Sequence, residues 1–167
     1  MSSVATLQPA TAVFREEQYF DWRVYALIAS LQILTALGLL HGRDRSLELV
    51  LGLVVGIGLV MFLVVGLLYM TTEVTPTDVR IWFGWVPAYR RIVPIGDVRR
   101  VEVVTFRPIA DYGFWGIRSG RDGERALIAR GNRGVRLELA DGSLLLIGSQ
   151  RPETLAAALE SAMRPSP

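Results

Sequence analysis

The sequence contains no cysteine and no lysine, and it has a single histidine, His41. The absence of cysteine excludes disulfides, thiolate nucleophiles and cysteine-ligated zinc or iron–sulfur sites. A single histidine excludes most histidine-based metal sites, so neither a metal nor another cofactor is expected. Arginine supplies all 18 basic residues against 16 acidic residues, which gives a formal net charge of +2.

Apolar residues are in excess: they make up 51% of the chain and concentrate before residue 71. Residues 49–70 carry no charge and no proline. A helix over this run is ~33 Å long, enough to cross a hydrocarbon core of ~30 Å. A second apolar run covers residues 22–40, and a short connection separates the two. The sequence therefore predicts a transmembrane helical hairpin over residues 22–70, with spans 22–40 and 47–70.

A cleaved signal peptide is the alternative interpretation of the first apolar run. The segment before it carries Glu16, Glu17 and Asp21 in place of a basic start, which favours an uncleaved anchor. Residues 1–21 are therefore predicted to be an N-terminal cytoplasmic segment.

The positions of arginine near the spans predict the orientation of the hairpin. The side that bears both termini carries more arginines than the hairpin loop: Arg15, Arg23, Arg80, Arg90 and Arg91 against Arg43 and Arg45. Cytoplasmic segments next to membrane spans are enriched in basic residues, and two predicted spans make the chain a multi-pass membrane protein. Both of its termini are predicted to lie in the cytoplasm.

Polar and small residues inside the spans predict helix contacts. Gln32 would be costly against lipid, so it is expected to face the second helix or another subunit. Gly52 and Gly56 have the spacing that allows two helices to approach closely, and packing within the hairpin is favoured over a dimer contact. Aromatic residues at the span ends are typical of a membrane interface: Trp22, Tyr25 and Tyr69.

After residue 70 the chain changes to short runs in which apolar and polar residues alternate, the pattern of half-buried strands. Residues 135–139 and 143–148 are two such runs, joined by Asp141-Gly142, which is a strong signal of a β-hairpin. This part of the chain is predicted to be an antiparallel β structure.

The last run, residues 152–163, has apolar residues at helical spacing. Residues 71–167 are thus predicted to form one β domain, a barrel or sandwich of about seven strands with a C-terminal helix. The fold class of the whole chain is an α+β membrane protein.

Several stretches in this order resemble the bacterial pleckstrin-homology (PH)-like domains that follow a two-helix membrane anchor. They are FREEQYFDW (14–22), RPIADYGFWGIR (107–118), GNRGVRLEL (131–139) and DGSLLLIGSQRPETLAAAL (141–159). The family commonly has glycine where this chain has Phe114. The resemblance implies a PH-like fold and a location in the cell inner membrane. The family is largely without an assigned activity, so the resemblance supplies no catalytic residue.

Catalysis is not expected. The lone His41 lies in the hairpin loop, away from the β domain, and no nucleophile elbow, P-loop or dinucleotide-binding motif is present. Nucleic-acid binding is not expected either, because the basic residues alternate with acidic ones along the β domain.

Arginine is the candidate binding residue. Arg90 and Arg91 follow the membrane spans closely, and a guanidinium suits bidentate contact with phosphate; the alternative is that they only set the topology. Arg118 and Arg133 lie near a glycine-rich loop, where they can bind a partner or serve the structure. Trp115 and Arg118 are three residues apart, so in an extended loop they point to opposite sides. Trp115 is expected to fill the mouth of the domain, while Arg118 points outward or toward the turn at Asn132-Arg133.

These features predict a membrane-anchored, non-catalytic binding module that docks a protein partner or the membrane surface. The alternative is a structural accessory subunit whose transmembrane hairpin makes the recognition contacts. The expected partners are the lipid bilayer, its anionic headgroups, and an unidentified membrane protein or a second copy of the chain.

Overall fold

The computed structural model describes residues 12–41, 46–85, 89–120 and 123–164. The protein is α+β, with two long apolar helices near the N-terminus, two β-sheets and a C-terminal helix. Arg43 and Arg45, on which the orientation prediction partly depends, lie outside the described residues, as do residues 1–11 of the predicted N-terminal segment.

The two apolar helices are α1 (Trp22–Leu40) and α2 (Leu47–Leu67). The Asp21 carboxylate begins α1 by accepting a hydrogen bond from the Arg23 backbone N–H at 3.0 Å. The Ser46 hydroxyl begins α2 in the same way, and Asp and Ser are preferred N-cap residues. Both helices are long and apolar enough to span a membrane, and only 6% of the most apolar stretch of each is buried.

The first sheet contains β1 (Phe14–Tyr19), β2 (Tyr69–Val74), β3 (Asp78–Phe83) and β4 (Tyr89–Pro94), in that order and all antiparallel. β1 pairs with β2 along its whole length. β1 is followed directly by α1, and α2 is followed directly by β2. The helical hairpin therefore takes the place of the turn that joins the two strands of a β-hairpin. β1 was not predicted from the sequence, and its residues were assigned to the N-terminal segment before the spans.

The second sheet contains five strands, in the order β5-β8-β9-β7-β6. Their bounds are β5 (Val98–Thr105), β6 (Gly116–Ser119), β7 (Arg125–Ile128), β8 (Arg133–Leu139) and β9 (Leu144–Gly148). β7 runs parallel to β9, and the other pairs are antiparallel. The predicted hairpin at Asp141-Gly142 is confirmed as β8–β9, with Gly142 at a φ of +80°.

Two features differ from the prediction. Of the two predicted arrangements, a barrel or a sandwich, the closed barrel is not formed: the described residues form two separate sheets. They contain nine strands and not about seven: β1 and β6, the short strand after the glycine turn, were not predicted.

One hydrophobic core joins the two sheets and the C-terminal helix. The helix, α4 (Pro152–Met163), matches the predicted range and buries Leu155, Ala158 and Leu159, as their spacing indicated. It contacts β5 and β8 of the second sheet and both β1 and β2 of the first. α4 therefore links the strands that flank the helical hairpin to the rest of the domain.

Candidate functional site

The conspicuous stretch 107–118 folds into a short helix and a glycine turn that leads into β6. α3 (Pro108–Tyr112) has proline in its first turn, where no backbone donor is needed, and Gly113 ends it at a φ of +81°, a conformation that side chains disfavour. Three residues in and just before α3 line a cavity on each side: Phe106, Arg107 and Ala110. α3 is thus a wall between two cavities.

The first cavity, of about 340 Å³, is polar. Among its lining residues, the Tyr112 hydroxyl donates a hydrogen bond to Glu124 Oε2 at 2.5 Å, and Arg136 Nε donates one to Glu124 Oε1 at 2.6 Å. Glu124 is only 6% exposed, and the Arg136 guanidinium balances the charge of this buried carboxylate. We call these three residues the Tyr112 cluster.

The chemistry of the Tyr112 cluster is structural. Burial raises the pKa of Tyr112 to about 12, and the hydrogen bond to Glu124 acts in the same direction. Tyr112 is therefore a neutral donor over the physiological range, and both Glu124 oxygens already accept hydrogen bonds. The cluster holds α3 on the second sheet and offers no free base. In the described part of the chain, no three His, Asp or Glu side chains are grouped to hold a metal ion.

The second cavity is an open groove of about 540 Å³ on the other side of α3. Asp21 and Arg23 at the start of α1 line one side, and Ile109, which is 61% exposed, lies on the other. Trp115 also lines the groove and is 8% exposed, so it is buried as the sequence analysis expected. Its indole N–H has no hydrogen-bond acceptor among the described residues. We call this cavity the α1–α3 groove.

The structure does not bring Arg90 and Arg91 together. They are neighbours on β4, where successive side chains point to opposite faces of the sheet. Arg90 is exposed, whereas Arg91 is half-buried and lines a separate cavity with Asp97 and Asp141. A single phosphate cradle formed by both residues is therefore excluded by the geometry of the strand.

Arg118 and Arg133 lie on different strands of the second sheet. Arg118 is exposed on the edge strand β6, as expected, and its Nε donates a hydrogen bond to the Trp115 carbonyl oxygen at 3.2 Å. Arg133 begins β8 and forms an ion pair with Glu153 in the first turn of α4. The ion pair between Arg133 and Glu153 therefore helps to hold the start of α4 against β8.

The three aromatic residues predicted at the membrane interface have different surroundings. Trp22 is 69% exposed at the start of α1. Tyr25 is half-buried, and its hydroxyl donates a hydrogen bond to the Leu68 carbonyl oxygen at 2.6 Å. Tyr69 is the first residue of β2 and packs on Tyr19 of β1, with 5.9 Å between the ring centroids. Of these three residues, only Trp22 presents most of its ring to the surroundings.

The glycines of α2 do not pack against α1. A Cβ atom added to Gly52 or Gly56 would meet no atom within 4 Å outside its own helix turn. This corrects the expectation that these glycines allow close packing within the hairpin. Gly56 and Gln32 instead line an open groove of about 320 Å³ between the helices, and Gln32 Oε1 has no donor within the described residues.

A polar contact of β1 was missed from the sequence. Glu16 and Gln18 are 6% and 2% exposed. The Glu16 carboxylate accepts hydrogen bonds from Ser149 Oγ at 2.6 Å and from the Gln150 backbone N–H at 3.1 Å. Gln18 Nε2 donates to the Gly148 carbonyl oxygen at 2.9 Å. Charged and amide side chains on the inward face hide the alternation that marks a strand, so β1 carried no recognisable signal.

The contact between α2 and the β3–β4 turn was also not predicted. The Trp85 ring packs on Phe62 with 5.1 Å between ring centroids, and an added Cβ at Gly66 would lie 2.8 Å from it. Gly66 is therefore required for this approach, although Trp85 remains 55% exposed.

No protein-family model matches the chain, and no curated protein matches it.

Proposed function

We propose that the chain is a membrane-anchored, non-catalytic binding module, in which a PH-like β domain is held on the cytoplasmic surface of a bacterial inner membrane. The observation that carries this proposal is the double attachment of the hairpin. β1 runs into α1, α2 runs into β2, and the two strands pair from Phe14–Val74 to Tyr19–Tyr69. A domain held by two adjacent paired strands is kept close to the bilayer and cannot swing freely.

The exposed aromatic residues at the junction support a membrane surface as the partner. Trp22 at the start of α1 and Trp85 beside the end of α2 are 69% and 55% exposed. The Trp85 backbone N–H also donates to the Gly66 carbonyl oxygen at 3.0 Å, which fixes the turn against α2. Tryptophan is enriched at the boundary between the headgroups and the hydrocarbon, so both side chains suit that depth.

The absence of cysteine provides a direct test of the anchor and its orientation. His41→Cys places a single thiol in the hairpin loop, and Ser161→Cys places one on the exposed side of α4. The protein is expected to stay in membranes at alkaline pH. A membrane-impermeant maleimide is expected to label His41→Cys in intact cells and Ser161→Cys only in inverted membranes. Extraction at alkaline pH, or labelling of both thiols from one side, would contradict the proposal.

Quenching of tryptophan fluorescence tests the contact with the membrane surface. In vesicles that contain lipids brominated near the headgroup, Trp85→Phe is expected to remove a large share of the quenchable emission. Trp82→Phe is the matched control, because Trp82 lies on β3 with the Arg15 guanidinium over its ring and not against α2. Equal loss of quenching in the two variants would show that Trp85 lies no closer to the headgroups than Trp82, and would contradict the proposed membrane contact of Trp85.

A second candidate is supported by the open glycines of α2. If the hairpin makes the recognition contacts, Gln32 and Gly56 form a surface that a second copy of the chain covers. Gly56→Ile is then expected to lower the oligomer mass in detergent, whereas Val54→Ile, at an exposed position of the same helix, leaves it unchanged. A monomeric wild-type protein would eliminate this candidate.

A further inference from the structure

The α1–α3 groove combines features that point to a lipid ligand. It lies between the first turn of α1, where the chain turns into the apolar helix, and the exposed side of α3. If α1 spans the bilayer, as the proposed function requires, the groove opens at the level of the headgroups in the leaflet where α1 begins.

The charge on the groove is suited to an anion. Arg23 and Arg107 both line it, with Asp21 as the lining carboxylate. Asp21 caps α1, and the Arg23 guanidinium makes no ion pair within the described ranges. Arg107 contacts Asp111 at 3.2 Å through one nitrogen and is 81% exposed, so its other donors remain accessible. Guanidinium groups bind phosphate oxygens well because they offer several donors in one plane.

A buried donor gives a second, independent indication. Trp115 is more than nine-tenths buried, and its indole N–H lacks an acceptor among the described residues. A buried polar group without a partner costs free energy, and Trp115 is among the residues that line the groove. The nitrogen is covered in the structure, so the acceptor oxygen of a ligand would satisfy this donor once the indole edge turns toward the groove.

The remaining wall is apolar. Phe106, Pro108 and Ile109 line the groove, and Ile109 is 61% exposed on a surface next to the membrane helix. Free phosphate would use only the arginines, whereas a phospholipid would also cover these side chains with its glycerol and upper acyl carbons. The combination of arginine, buried N–H and apolar wall therefore selects a phospholipid over a small anion.

We propose that the α1–α3 groove binds the phosphate of an anionic phospholipid, with Arg23 and Arg107 as the cationic contacts and Ile109 against the acyl chain. This assignment deepens the proposed function, since it identifies which part of the membrane surface the domain holds. Phosphatidylglycerol is the appropriate probe, because its headgroup is anionic and carries no ammonium group to compete for Asp21.

The test measures binding of single lipids to the full chain in detergent by native mass spectrometry. Phosphatidylglycerol is expected to bind more tightly than phosphatidylcholine. Arg23→Gln and Arg107→Gln are each expected to weaken phosphatidylglycerol binding about fivefold, the effect of one basic residue near an anionic surface. Arg99→Gln is the matched control, because Arg99 is exposed on β5 and lines neither cavity beside α3. It is expected to leave binding unchanged.

Three outcomes would overturn the lipid site. They are equal affinity for the two lipids, an equal effect of Arg99→Gln and Arg23→Gln, and full displacement of the lipid by millimolar glycerol phosphate. The last result would assign the groove to a soluble phosphate ester. Alkaline extraction of the same variants distinguishes failure of the lipid site from failure of the proposed function. If the protein stays in the membrane but shows no selective lipid binding, the lipid site is refuted and the membrane anchor is not.

Discussion

The hydroxyl of Tyr25, in the first turn of α1, donates a hydrogen bond to the carbonyl oxygen of Leu68, the residue that joins α2 to β2, at 2.6 Å. The same hydroxyl accepts a hydrogen bond from the backbone N–H of Phe20 at 3.2 Å. One side chain thus ties together the two points at which the chain passes between the sheet and the helices.

Loss of this hydroxyl is expected to weaken the junction. Tyr25→Phe keeps the ring but leaves the half-buried Leu68 carbonyl with one donor fewer, which should cost about 1–2 kcal/mol. Thermal unfolding of the detergent-solubilised protein measures the effect. Tyr19→Phe is the control, because Tyr19 is 56% exposed and its hydroxyl makes no hydrogen bond within the described residues. Equal stability of the two variants would show that the Tyr25 hydroxyl has no structural role.

Glu16 is expected to be far more important for stability than its neighbour Glu17. Glu16→Ala leaves the Ser149 hydroxyl and the Gln150 N–H without their acceptor, which should cost about 2–3 kcal/mol. Glu17→Ala removes only an exposed ion pair with Arg15 and should change stability by less than about 0.5 kcal/mol. Hydrogen exchange provides a local readout: the Gln150 amide should exchange faster in Glu16→Ala alone. Unchanged protection there would contradict the assigned contact.

The Tyr112 cluster predicts loss of stability at high pH. The pKa of Tyr112 is raised to about 12 by burial and by its hydrogen bond to Glu124, whereas an unfolded tyrosine has a pKa of ~10. The contribution of Tyr112 is therefore complete below pH ~10 and is lost as the pH rises toward the folded value.

Comparison with Tyr112→Phe isolates this effect from that of the other tyrosines. The stability difference between the wild type and Tyr112→Phe should be constant up to pH ~10 and should shrink above it. Absorbance titration of phenolate should likewise lose its high-pH step in the variant. A difference that stays constant to pH 12 would show that Tyr112 titrates normally.

Because β1 is a strand of the first sheet, a shortened chain that keeps β1 is expected to fold and one that lacks it is not. Replacing residues 21–67 by Asn-Gly joins Phe20 to Leu68, whose backbones already form a hydrogen bond of 3.3 Å, through a turn that favours hairpins. This shortened chain is expected to be soluble and to unfold cooperatively. Deletion of residues 1–67 removes β1 with its Glu16 contacts but keeps all of β2, and it is expected to give an unstable or aggregated product. Equal folding of the two chains would mean that β1 is dispensable.

The parts of the structure that were predicted correctly have a local sequence signature. The two apolar helices, α4 and the β8–β9 hairpin are each marked by continuous apolarity, helical spacing or Asp-Gly. Burial of Trp115 and exposure of Arg118 followed from their alternation along one extended segment. Each of these inferences needed only a few neighbouring residues.

The parts that were not predicted depend on contacts between distant segments. β1 finds its partner about fifty residues later in the chain, a separation at which pairing leaves no local pattern. Its inward Glu16 accepts hydrogen bonds from the distant turn before α4, and Gly66 is needed because Trp85 approaches α2 from the turn after β3. The α1–α3 groove likewise forms from α1, α3 and a loop of the second sheet, so no single stretch of sequence contains it.

The pairing of β1 with β2 also limits how the two apolar helices can move. A piston-like shift of α1 along α2 would drag β1 along β2 and break the register from Phe14–Val74 to Tyr19–Tyr69. A slip of one residue, roughly 3.4 Å, would also turn Glu16 and Gln18 to the opposite face of the sheet. Sliding of the two helices past each other is therefore coupled to rupture of the first sheet, so the pairing of β1 with β2 resists a piston motion of the hairpin.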